Sequence, residues 1–218
     1  MVRFIYYSKV IIYMPYIADD RLYINPIIIP TSVLLSDKSQ HLNLSPFLKR
    51  DLQEYAHKMS KLQIEDPTVV WGGSSLSESN LIILNDSLRY FNDNLEKDMF
   101  ASEIHERTHL ILSNKVSSVI RSCNNEFEEG VAWARESFVY SNSNPNSEKV
   151  HSMYKPSYKN NNHEKMVDSF HTYISVAEEL GDDIALNLAR ESKRYPNALK
   201  KFKEAVSDYK LNLQRIFG

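Results

Sequence analysis

The period of the apolar residues changes near residue 94 of this 218-residue chain. Upstream, β-branched and aromatic residues gather in short runs over 3–7, 10–13, 22–29 and 32–35, broken by Pro15, Pro26 and Pro30. Each run has the length and composition of a strand. Ser45-Pro46 then opens a helix over 46–64, with serine at the cap and proline at the first helical position, and Asp66-Pro67 closes it. Residues 68–71 and 80–84 read as the two strands of a hairpin around Gly72-Gly73 and the polar cluster that follows. From 94 to 113 the spacing becomes three and four residues, which predicts a helix. Further helices are expected over 125–140, 163–180, 182–192 and 197–216, their stripes serving as core. The stretch 141–162 is polar, holds Pro145 and Pro156, and is expected to be a long loop able to act as a lid. The expected organisation is a single α+β domain over 1–218, with a β-rich part carrying one helix over 1–93 and a helical part over 94–218.

Composition narrows the function classes. Hydrophobic residues make up 42% and charged residues 25%, so the chain should fold rather than remain disordered. The net charge is -2 with Lys and Arg dispersed, which argues against a nucleic-acid partner. The one basic stretch, over 193–203, reads as a solvated helix face. Cys123 stands alone, so no internal disulfide can form. Residues 1–16 are apolar but interrupted by Lys9 and Pro15 and lack a small-residue cleavage site, so they read as strands rather than a signal peptide. No apolar run approaches the roughly 20 residues of a membrane-spanning helix. A cytoplasmic protein is expected, or one exported without a classical signal peptide.

The chemistry lies in the helix over 94–113, which contains His105-Glu106-Arg107-Thr108-His109. Four residues on a helix amount to slightly more than one turn, so both imidazoles leave the same face and can occupy adjacent corners of a zinc tetrahedron. Glu106 projects beside them, placed to act on a water rather than to bind the ion. With 7 histidines in the chain, random placement yields this pentapeptide only about one to two times in a hundred. Catalytic zinc takes three protein ligands and keeps one position open, so a third ligand must come from another element. Glu126, Glu128 and Glu129 on the following helix are the available carboxylates, brought near if a turn sets the two helices antiparallel.

The sequence Glu129-Gly130-Val131-Ala132 on the next helix makes the pattern specific. A His-Glu-x-x-His helix followed by a Glu-Gly-x-Ala helix resembles the gluzincin metallopeptidases, among them the aminopeptidase N type, over roughly 80–140. The resemblance implies a zincin-like fold: a small N-terminal mixed sheet with an antiparallel edge strand, packed on a mainly helical remainder. It also implies Zn2+ as cofactor, Glu129 as the third ligand beside His105 and His109, and Gly130 and Ala132 keeping that helix close to the active-site helix. Glu128 is the rival ligand, and Glu126, one turn before Glu129, is a candidate partner for a zinc-bound histidine. Metzincins would need glycine at 112 and histidine at 115, where this chain has Leu112 and Lys115. Thermolysin-like enzymes differ at Glu128 and Trp133, and the upstream cysteine ligand of peptide deformylases is absent. The gluzincin subfamily is left open.

The expected function is a zinc-dependent endopeptidase acting on a protein or peptide substrate, as an effector or toxin protease or an internal regulatory protease. Glu106 would be general base, and His171 the preferred oxyanion donor among His151, Tyr154, His163, His171 and Tyr173. Trp133 and Arg135 are expected to be structural or wall residues. An extended substrate is expected along a free edge of the strand over 80–84. From a different class comes a catalytically inactive zincin-like binding module with a structural zinc, against which the retained Glu106 argues. A helical interaction protein without metal would leave the convergence of histidines and carboxylates without a reason.

Overall fold

The computed structural model describes residues 3–7, 10–14, 25–65, 71–86, 95–113, 124–143 and 163–217. Among them the fold is α+β. Strands β1 (Arg3–Tyr7) and β2 (Val10–Met14) pair antiparallel as a hairpin. A separate mixed sheet has the order β3-β5-β4, from β3 (Ile27–Pro30), β4 (Gly73–Leu76) and β5 (Leu81–Leu84). β3 runs parallel to β5, and β4 antiparallel to it at the sheet edge. Helices α1 (Thr31–Leu34) and α2 (Pro46–Glu65) lie among the strands, and α3 (Leu95–Ser113), α4 (Asn125–Ser143), α5 (His163–Leu180), α6 (Asp182–Ser192) and α7 (Ala198–Phe217) follow. No helix among the described residues is long and apolar enough to cross a membrane.

The described residues fall into two compact units, one ending at Glu103 and the other beginning at Ile104. In the first, Leu81 and Ile83 of β5 and Ile29 of β3 pack on Leu34, Leu52, Ala56 and Trp71. Helix α2 starts as its sequence demands: the Leu48 amide donates to the Ser45 hydroxyl at 3.2 Å, and Pro46 occupies a position whose amide would have had no partner. In the second unit, α4 to α7 and the last turns of α3 enclose a core that includes Leu112, Phe127, Val131, Tyr173, Leu186 and Phe202.

Three local expectations are corrected. The segment 32–35 is not a strand: Thr31–Leu34 forms one helical turn. The Thr31 hydroxyl and Ser32 amide donate to Asp86 at 2.7 and 3.0 Å, and the Ser32 hydroxyl donates to it as well. A carboxylate distant in sequence thus supplies the partners a helix start needs, outweighing the β-propensity of Val33. The hairpin exists, but its first strand is Gly73–Leu76, and Trp71 and Gly72 precede it. Finally, β5 is the central strand with neighbours on both sides, so it has no free edge for a substrate. Its four side chains are all buried, the mark of a strand covered on both faces. Helix α4 runs to Ser143, three residues into the loop expected over 141–162; the rest of that loop, the first three residues of the strand expected over 68–71, and Cys123 lie outside the described residues.

Candidate metal centre

Helix α3 carries His105 and His109 one turn apart, with side chains 12% and 13% exposed, and places Glu106 buried between them in sequence. The next helix, α4, brings Glu129 to the pair. His105 Nε2 and His109 Nε2 lie 3.1 Å apart. Glu129 reaches the first at 3.5 Å and the second at 3.4 Å, one carboxylate oxygen to each. Metal–ligand bonds of about 2.0–2.1 Å at tetrahedral angles put neighbouring ligand atoms roughly 3.3 Å apart. The observed separations are of that size, the two glutamate contacts using different oxygens; taken with one ligand atom per residue, the three groups lie within 4.8 Å of one another. Glu129 is 45% exposed, which leaves the cluster open to solvent on one side, as a catalytic zinc site requires.

The other ring nitrogens are occupied. His109 Nδ1 donates to Glu128 at 2.8 Å and His105 Nδ1 to Glu136 at 3.1 Å. Each bond orients its ring with Nε2 toward the cluster, so that a metal displacing any proton there would find the Nε2 lone pair, the arrangement typical of metal-bound histidines. Glu128 also accepts from the Ser113 hydroxyl at 2.8 Å. Trp133 packs edge-on against the His105 ring, centroids 4.9 Å apart, and forms one wall of the site.

The electrostatics point the same way. Burial alone would lower the His105 pKa, but bonds to Glu129 and Glu136 and the charges of Glu136 and Glu106 carry it up to about 10. Burial would raise Glu129, but its contacts with His105 and His109 hold it well below the usual carboxylate range. Four carboxylates around two imidazoles make a site that draws positive charge, whether a proton or a metal ion.

The structure thus brings His105, His109 and Glu129 together in a gluzincin-type arrangement. Glu128 is turned to the far side of His109 and serves as its hydrogen-bond partner. Glu126 is not a partner of either histidine; it faces Lys165 of α5 at 3.9 Å. Glu136, which sequence reading passed over, holds that role for His105. It lies seven residues after Glu129, two helical turns along one face, so a search along that face would have found it. The nearest neighbours of Gly130 belong to α5. A Cβ there would lie 2.2 Å from the Met166 carbonyl oxygen and 2.7 Å from Ser169 Cβ, so the glycine admits α5.

Of the oxyanion candidates, His151 and Tyr154 lie outside the described residues, and His163 begins α5. His171 is exposed on α5 with its ring edge-on to Phe170, outside the network around His105 and His109. Tyr173 is fully buried and donates to Asp182 at 2.6 Å. Burial and the Asp182 charge push its phenol well above its ordinary value, so it is a core group. Arg135 is buried in the same network and donates to Asp182 at 3.0 Å, a structural role as expected. No protein-family model, curated protein or solved structure matches the chain.

Proposed function

We propose that the chain is a zinc-dependent peptidase that hydrolyses peptide bonds of a protein substrate, with His105, His109 and Glu129 holding the metal and Glu106 as general base. One observation carries this reading: a ligand atom from each of His105, His109 and Glu129, on two helices, lies within 4.8 Å of the others, and both Nδ1 atoms are tied to carboxylates. When bound there, zinc supplies Lewis acidity, lowering the pKa of a water toward about 7 and polarising the carbonyl under attack.

The remaining work falls to the chain's own side chains. Glu128 and Glu136 hold the two imidazoles in one tautomer and orientation. Glu106, on the turn that joins the two histidines, takes the proton of the attacking water and returns it to the leaving amine. Glu106 is buried, and its charge is felt at His105. A structural zinc would have no use for a base at that position.

The test is zinc content by mass spectrometry beside hydrolysis of a quenched-fluorescent peptide library, for wild type, His109→Ala, Glu129→Gln and Glu106→Gln. About one zinc per chain is expected in wild type, lost in the first two variants and kept in the third. Glu106→Gln should lower hydrolysis by about 10²–10⁴-fold. Zinc binding with no hydrolysis of any peptide, in wild type as in Glu106→Gln, would leave the binding module with a structural metal. Absence of zinc from folded wild type after supplementation would overturn the reading altogether.

A further inference from the structure

Lys193 opens the basic stretch that reads as a solvated face, yet its side chain is 0% exposed. Its ammonium group pairs with Glu128 Oε2. Glu128 Oε1, at the other end of the same carboxylate, accepts from His109 Nδ1 and the Ser113 hydroxyl, both at 2.8 Å. A chain of direct contacts therefore runs from the end of α6 to a candidate metal ligand.

Lys193 is itself held at the backbone. It caps α6, its amide donating to the Ala189 carbonyl at 2.9 Å. Its carbonyl accepts from the Asn124 side chain at 3.3 Å. Asn124 also donates to the Tyr195 carbonyl at 2.7 Å and accepts from the Ala198 amide at 3.3 Å, clamping the turn between α6 and α7. The Asn124 carbonyl in turn accepts from the Glu128 amide at 3.0 Å. One asparagine thus fixes the backbone of both members of the ion pair.

Fold stability alone does not account for this pair, since a buried ion pair replaced by apolar residues of similar volume is often neutral or stabilising. Its geometry does give it a task. A carboxylate anchored at one oxygen can still turn about its last bond, whereas anchoring both oxygens leaves one orientation.

We propose that Lys193 is a positioning residue of the metal centre: by pinning Glu128 it fixes the carboxylate that aims His109, so that the turn joining α6 and α7 governs metal affinity. The proposal rests on the zinc reading of the site. It is tested by the zinc dissociation constants of wild type, Lys193→Met, Glu128→Gln and the double variant, measured in competition with a chromophoric chelator. The visible spectrum of each Co2+ form reports ligand geometry independently of turnover.

Lys193→Met is expected to bind zinc about 10- to 100-fold more weakly, with an altered cobalt spectrum. Because Lys193 acts through Glu128, the double variant should bind no more weakly than Glu128→Gln alone. If Lys193→Met fails to fold, the comparison of Glu128→Gln with the double variant decides: equal affinities support the proposal and a further loss overturns it. Wild-type affinity and spectrum in Lys193→Met overturn it while leaving the zinc site intact. A folded wild type that binds no zinc removes the reading of the site, and the proposal with it.

Discussion

Glu128 and Glu129 are neighbours in the chain with opposite tasks, and the helix between them is the reason. A step of one residue turns a side chain by about 100°, so the two carboxylates leave α4 in different directions. Glu129 meets the Nε2 atoms and Glu128 meets His109 Nδ1 from behind. The His-Glu-x-x-His spacing made His105, Glu106 and His109 legible, because a spacing of four residues on a helix puts side chains on one face. Lys193 was not legible, because its partner lies 65 positions away (193 − 128) and no local pattern records that contact. A prediction follows for protons. With its pKa at about 10 in the metal-free protein, His105 carries a proton at pH 7 that zinc must displace. Zinc binding should therefore release roughly one proton near neutral pH, and affinity should rise about tenfold per pH unit between pH 6 and 8. Titration calorimetry in two buffers of different ionisation enthalpy measures the release, and a heat independent of buffer would exclude His105 as a displaced-proton ligand.

Between elements, close approach matters more than propensity. Gly130 sits in the middle of α4, where glycine costs up to about 1 kcal/mol relative to alanine in a free helix. Here the α5 backbone occupies the space of a side chain, with the Met166 carbonyl oxygen 2.2 Å from where a Cβ would stand. Gly130→Ala should therefore destabilise the metal-free protein by about 1–3 kcal/mol, against the sign that helix propensity gives. Urea unfolding in the presence of a chelator measures it, and a gain in stability would mean that α5 yields easily. The same contest explains which elements could be read from the pattern. Long helices such as α5 and α6 were plain from their stripes, and α2 from Ser45-Pro46. The short segments failed where a distant group intervened: Asp86 turned Thr31–Leu34 into a helix, and the all-apolar run Leu81–Leu84 marked a central strand rather than an edge.

At the scale of the molecule, each unit has its own core, and the candidate metal centre belongs wholly to the second. His105, His109, Glu128, Glu129, Glu136 and Lys193 all follow Ile104, and the core beside them is built from α3 to α7. The core of the first unit is built on β3, β5 and α2, with no metal-ligand group among its described members. Zinc that binds only the folded site adds stability by mass action, about 2.7 kcal/mol when free metal exceeds its dissociation constant 100-fold. That stabilisation should be felt where the ligands are. Removal of metal by a chelator is expected to speed amide exchange in residues 104–113 of α3 and 125–136 of α4, while leaving the amides of Leu81–Leu84 unchanged. Hydrogen exchange read by mass spectrometry on the full chain, with and without zinc, makes the comparison within one sample. Faster exchange that spread equally into β5 would show that the two cores open together, and the metal would then be holding the whole chain rather than its own unit.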